Sequence, residues 1–277
     1  MAIQTFQEWP QFSSFAPFVK EVQSPDFSVT FRLADRLPAI ADAVIHEENC
    51  YRVHPDGRGG YVRSFFNAPR DLSPYAVGQY RYDEGTVLID CLQKGRTCVS
   101  AVGNSFFHIG FEAMLIRKKR LCLHASLVQT HLGGILFSGP SGVGKSTQAQ
   151  LWTDYRGARQ INGDRPILEK SRTGWRGWGS PYAGSSGFHL NESCPVTAVV
   201  ILQQENHCTL RRLRASDALR AIWQGLTMYS WDKRFVEDAY DLAMDLVGNV
   251  PVFQFCCTPD EYAVEYLEQH LRKECGR

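Results

Sequence analysis

Residues 133–152 read "GGILFSGPSGVGKSTQAQLW", and three textures follow one another within them. Ile135, Leu136 and Phe137 form an apolar run of strand type, Gly139, Gly142 and Gly144 open a loop, and Lys145 to Trp152 has the composition of a helix. Residues 139–146 match G-x-x-x-x-G-K-[ST] in full. Glycines at these places let the backbone curl so that successive N–H groups face inward, and the helix that follows adds its positive end. A loop of this kind cradles a polyphosphate. The alternative, a glycine turn that binds nothing, is the weaker reading because both flanking elements are legible. On the phosphate-loop reading, Lys145 contacts the β- and γ-phosphates, the Ser146 hydroxyl coordinates Mg²⁺ and Thr147 reaches the α-phosphate. Gly139, Ser141, Gly142, Val143 and Gly144 complete the cradle, and the expected ligands are ATP and Mg²⁺.

Just downstream, "QINGDRPI" (160–167) places one acid, Asp164, after a β-compatible run at 159–162. That run is expected to lie beside the strand that enters the loop. A Mg-nucleotide needs a carboxylate for its metal, and transfer to a hydroxyl needs a proton acceptor, so Asp164 suits either task. Asp is also common in turns, and a purely structural role is the competing reading. Upstream, "LCLHASLV" (121–128) reads as one apolar strand that carries His124. A histidine there is either a satisfied core residue or a group that orients the acceptor and stabilises transferred charge.

Strands at 196–202, 209–213 and 252–255 alternate with helices that begin near Ser216 and Asp232, which argues for α/β layers. A last helix is expected with Thr258 as N-cap, Pro259 at its first position and Glu261 at its third, and with Val264, Leu267 and Leu271 on its apolar face. Before the loop region, Phe27–Phe31, Gly60–Phe65 and Thr86–Cys91 are β-like runs, separated by turn clusters such as "HPDGRGG" and "NAPRDLSP". From Asn104, a plausible N-cap, apolar residues at Phe107, Ile109, Phe111, Met114 and Leu115 follow helical spacing. The expected organisation is therefore a small β-rich N-terminal lobe, 1–103, and an α/β domain, 104–277.

Composition narrows the partners. The 277 residues are 44% hydrophobic, and 30 basic against 29 acidic residues leave a formal charge of +1. No global field favours nucleic acid or a membrane surface. Nine scattered cysteines, none in a C-x-x-C pair, argue against a disulfide framework or a zinc site and for a reducing cytoplasm. No basic start with an apolar run opens the chain, and no stretch reaches the roughly 18 apolar residues of a membrane span. A cytoplasmic protein that is neither secreted nor membrane-embedded is expected.

Taken together and in order, "LHASLV", "GGILFSGPSGVGKSTQAQLW" and "INGDRPIL" resemble the catalytic domain of the HPr serine kinase/phosphorylase family, which shares a nucleotide-binding core with ATP-dependent phosphoenolpyruvate carboxykinase. The resemblance covers roughly residues 105–270. It implies an α/β, P-loop kinase core in which Gly139 to Thr147 bind ATP, an acid on the next strand serves Mg²⁺ and the acceptor proton, and His124 assists. It also makes a homo-oligomer an expectation. That family carries two adjacent acids, whereas Gly163 and Arg165 flank Asp164 here. Asp164 thus corresponds either to the metal-side acid or to the proton acceptor. The signature by which those kinases hold a folded carrier protein is absent, so the implied acceptor is a serine-type hydroxyl of a small molecule or peptide. The competing function is a nucleotide-binding regulatory or assembly protein with little or no phosphotransfer. Two further stretches bear on specificity: the Gly/Ser-rich segment 178–189, either a plain surface loop or part of the acceptor site, and Arg212 with Arg214, expected on one face of a strand.

Overall fold

The computed structural model describes residues 2–4, 13–100, 102–182 and 184–274. Ala183, within the Gly/Ser-rich segment, and Cys275 lie outside them. Residues 1–117 and 118–277 form two compact units. The division falls after the helical stretch that begins near residue 104, not before it, so that stretch belongs to the first unit.

The first unit holds a seven-stranded sheet of order β1-β2-β7-β6-β5-β4-β3. Its strands are β1 (Ala2–Gln4), β2 (Ser28–Leu33), β3 (His46–Glu48), β4 (Tyr51–Pro55), β5 (Tyr61–Phe65), β6 (Ala76–Arg81) and β7 (Thr86–Cys91). Helices α1 (Arg96–Ser100), α2 (Val102–Ile109) and α3 (Phe111–Arg117) follow. The single helix expected from Asn104 is thus two, parted at Gly110, and residue 104 lies inside α2 rather than at its cap. Arg63 of β5 is buried with its guanidinium over the rings of Phe107 and Tyr51, at 4.6 and 4.8 Å, and it donates to the Phe107 carbonyl. Aromatic faces and a carbonyl replace part of the hydration that burial removes.

The second unit is mixed α/β. Its elements are β8 (Arg120–Cys122), β9 (Ala125–Thr130), β10 (Gly133–Ser138), α4 (Lys145–Arg156), β11 (Arg159–Asn162), β12 (Ile167–Ser171), β13 (Gly174–Trp178), β14 (Ser193–Gln204), β15 (Thr209–Arg212), α5 (Ala215–Gly225), α6 (Lys233–Asn249), β16 (Val252–Cys257) and α7 (Glu261–Glu274). They build a nine-stranded sheet in which β11-β9-β10-β14-β13-β12-β8 run in order and β16 joins β14 and β15. The twelve-residue β14 is its spine: its start pairs antiparallel with β13, and its later residues pair parallel with β10 and β16. Strand alternation sends Ile135 and Phe137 of β10 to one face. There they join Trp152 of α4, Phe253 and Phe255 of β16, and Val264, Leu267 and Leu271 of α7 in one buried cluster. Each such side chain contributes about 1.5–3 kcal/mol by leaving water. This packing fixes α4, and hence the loop before it, against the sheet.

Several local expectations change in the structure. The run 121–128 is two strands, because the chain changes partners at Leu123: β8 pairs with β12, whereas β9 pairs with β10 and β11. Strand β11 lies beside β9, not beside β10, because antiparallel β9 takes the position between them. Helix α7 starts at Glu261, and Asp260 rather than Thr258 caps it, its Oδ1 accepting from the Ala263 N–H at 3.0 Å. Arg214 is not a strand residue; it stands extended at the start of α5, while Arg212 closes β15. Among the described residues no helix is long and apolar enough to cross a membrane, and the described cysteines are all free thiols.

Candidate active site

The ends of three strands meet at one edge of the second unit. Antiparallel pairing brings the start of β9 between the carboxyl ends of β10 and β11: Ala125 lies opposite Ser138, and Leu127 opposite Asn162. His124, the residue before β9, is anchored on both sides through its backbone. Its N–H donates to the Gly225 carbonyl at 2.7 Å, and its carbonyl accepts from Ser138 Oγ at 2.9 Å. The Ala125 N–H donates to the Asp164 carbonyl at 2.9 Å. The break at 123–124 thus places an imidazole beside the acid, Nε2 standing 3.4 Å from Asp164 Oδ1.

The chain from β10 into α4 makes a loop whose glycines are demanded by backbone conformation. Gly142 and Gly144 have φ of +79° and +105°, and open space surrounds a Cβ built on either, so torsion rather than crowding selects glycine. Lys145 begins α4 and folds back over the loop, its Nζ donating to the carbonyls of Gly139 and Pro140, both at 3.0 Å. Burial holds the Lys145 amine below its ordinary value, opposed by the charge of Asp164 and reinforced by Arg165. His124 is likewise lowered, first by burial, then by the charge of Lys145, with Asp164 opposing and Arg165 adding. The net effect favours the neutral ring over the charged one.

Asp164 owes its position to the buried Asn162 at the end of β11. Asn162 Oδ1 accepts from the N–H groups of Asp164 and Arg165, at 3.1 and 2.7 Å, and its Nδ2 donates to the carbonyls of Ser180 and Tyr182, both at 3.0 Å. The Asn side chain shapes the turn that turns the acid outward. Arg165 Nε stands 3.7 Å from Asp164 Oδ2, and its guanidinium donates to the Thr227 hydroxyl. Gly163 has no room for a side chain: a Cβ there would fall 1.7 Å from Ser186 Oγ and 2.7 Å from Ser186 Cβ. The short turn Gly184–Ser186 occupies that space.

These parts enclose a cleft of about 300 Å³. Its walls are Ser141, Gly142, Gly144, Lys145, Ser146 and Thr147 from the loop and α4, His124 and Asp164 from the strand ends, and Gly163, Gly184 and Ser185. The residues singled out in the sequence are brought together, with two qualifications of place. Gly139 and Val143 do not line the cleft; Val143 packs partly buried against the core under α4. Gly184 and Ser185, from the Gly/Ser-rich segment 178–189 weighed above as a plain surface loop or part of the acceptor site, form a further wall of the cleft. No group of three or more His, Cys, Asp or Glu suited to a metal occurs among the described residues. The donors that do face the cleft, the Ser146 hydroxyl and the Asp164 carboxylate, are hard oxygens, and these fit a cation that keeps several waters and takes its remaining ligands from phosphate.

No protein-family model matches the chain, and no curated protein matches it. Among solved structures, the HPr(Ser) kinase/phosphatase from Coxiella burnetii is similar at 14% sequence identity, over 56% of this chain and 99% of that one, with a TM-score of 0.36.

Proposed function

We propose that the second unit is an ATP-dependent phosphotransferase that moves the γ-phosphoryl group to a serine-type hydroxyl on a small molecule or peptide. The observation that carries this reading is the meeting, in one cleft, of the 139–146 loop with Lys145, His124 and Asp164. A phosphate-binding loop by itself accounts for nucleotide binding alone. An acid and an imidazole 3.4 Å apart in the same cleft add a proton acceptor and a partner to orient it.

In this reading the loop N–H groups and the start of α4 hold the polyphosphate, and Lys145 leaves the Gly139 and Pro140 carbonyls to meet the β- and γ-oxygens. Mg²⁺, held by the Ser146 hydroxyl and Asp164, would neutralise charge on the transferring group. Asp164 takes the proton of the attacking hydroxyl, and His124 orients that carboxylate through a hydrogen bond. Lys145 in the cleft and Arg165 beside Asp164 supply cations near the place a polyphosphate would take. The acceptor is not a nucleic acid, and assembly into homo-oligomers belongs to the same proposal.

The test is transfer of labelled γ-phosphate from ATP to free hydroxyamino acids and serine peptides. Asp164→Asn keeps nucleotide affinity within severalfold and lowers transfer by at least about 10²-fold, the scale of a lost acid–base group. Wild-type turnover in that variant would remove Asp164 as base and as essential metal ligand.

A further inference from the structure

The cleft holds a hydroxyl that the transfer reading leaves without a task. Three of its wall hydroxyls, Ser141, Ser146 and Thr147, come from the phosphate loop and its helix, but Ser185 comes from the separate turn Gly184–Ser186. The chain that leaves that turn pairs with the end of β11, just before the acid. The Gly163 N–H donates to the Phe188 carbonyl at 3.1 Å, the Leu190 N–H donates to the Ile161 carbonyl at 2.9 Å, and Asn162 makes a bridge with His189. The backbone of Gly184 rests on the Asp164 side chain: a Cβ built on it would lie 2.7 Å from Asp164 Cβ and 3.3 Å from Oδ2. Ser186 is wedged over Gly163, its Oγ accepting from the Phe188 N–H at 3.4 Å. Ser185, between these two anchored neighbours, is exposed and lines the same cleft as Asp164, Lys145 and Ser146.

We propose that Ser185 is a phosphoryl acceptor in cis, modified by the protein's own cleft; this rests on the reading of that cleft as a nucleotide site. The Ser185 hydroxyl oxygen attacks the γ-phosphorus of a Mg-bound nucleoside triphosphate and forms the new P–O bond. The bond from that phosphorus to the β,γ-bridging oxygen breaks, its electron pair leaves on the nucleoside diphosphate, and the hydroxyl proton passes to the Asp164 carboxylate. The resulting phosphoserine lies in the place an external acceptor needs and adds negative charge beside Asp164. Modification therefore slows transfer to other hydroxyls, and free acceptor slows modification.

The full chain, freed of phosphate by phosphatase treatment, is incubated with Mg-ATP without acceptor and followed by intact-mass and peptide mass spectrometry. One phosphoryl group on Ser185 is expected, absent in Ser185→Ala, with a rate per molecule independent of protein concentration. Phosphate on another residue, or a rate that rises with concentration, overturns the proposal. A second readout needs no turnover: Ser185→Asp binds a non-hydrolysable ATP analogue about tenfold more weakly than wild type, from like charge beside the γ-phosphate. Unchanged affinity there places Ser185 away from the γ-phosphate and also overturns it. If the analogue binds and an added serine peptide is phosphorylated while Ser185 is not, only this inference falls. If the analogue does not bind, the nucleotide reading falls with it.

Discussion

Gly163 shows how one residue can decide the character of a site. A side chain at 163 would meet Ser186 Oγ at 1.7 Å. The turn Gly184–Ser186 packs closely over this glycine, and Asp164 is the acid next to His124. The packing makes a prediction. Gly163→Ala lowers stability by about 1–3 kcal/mol, the usual cost of overpacking, measured by urea denaturation. Adding Ser186→Gly, which removes both obstructing atoms, recovers most of the loss. Full stability in Gly163→Ala alone would mean that the turn at 184–186 does not rest on this glycine. Asn162 acts at the same scale: fully buried, it spends its oxygen on two N–H groups and its amide on two carbonyls, so the acid stands on a rigid turn.

At the scale of elements, the loop is held because α4 is clamped to α7. Glu268 of α7 accepts from Arg156 Nε of α4 at 2.5 Å and from Arg272 at 2.7 Å, and His131 Nε2 lies 3.1 Å away. Burial pushes the Glu268 carboxyl up, but the hydrogen bonds from Arg156 and Arg272 outweigh it and hold the group below its ordinary 4.5. A lowered acid stabilises the fold above its unfolded value and loses that contribution as pH falls through the folded one. Glu268→Gln is therefore expected to cost about 1–3 kcal/mol at pH 7 and progressively less below pH 4, read from denaturation curves across pH. A cost that does not change with pH would show that the carboxylate's charge is not what joins the helices.

The same scale shows what the sequence made legible. Runs with an uninterrupted β pattern were readable: Thr86–Cys91 and 159–162 are strands with those bounds, and α4 begins at Lys145. The hairpin of β12 and β13 was not, because Gly174 and Gly177 interrupt the alternation of "GWRGW" and its strand character comes from pairing with β8 and β14. The break at His124 was hidden for a related reason. Leu121 to Val128 is locally one apolar run, and only the change of partner from β12 to β10 and β11 divides it. Asp164 was placeable as a residue, but its relation to His124 depends on β9 standing between β10 and β11, which pairing alone determines.

Over the whole molecule the formal charge is only +1, yet Lys145 and Arg165 both stand close enough to Asp164 to interact with its charge. The second unit gathers a glycine loop, a helix start and three strand ends at one edge of a mixed sheet, the kind of place where α/β folds bind ligands. The first unit has its own sheet and its own aromatic core around Arg63. The central claim is that the 139–146 loop binds a Mg-nucleotide through Lys145. Isothermal titration of Mg-ATP into the full chain and into Lys145→Ala tests it most directly. The account predicts saturable one-site binding by the wild type and a loss of at least about 10²-fold in the variant, or roughly 2.7 kcal/mol or more; equal affinity in the two proteins, or no binding by the wild type, would contradict it.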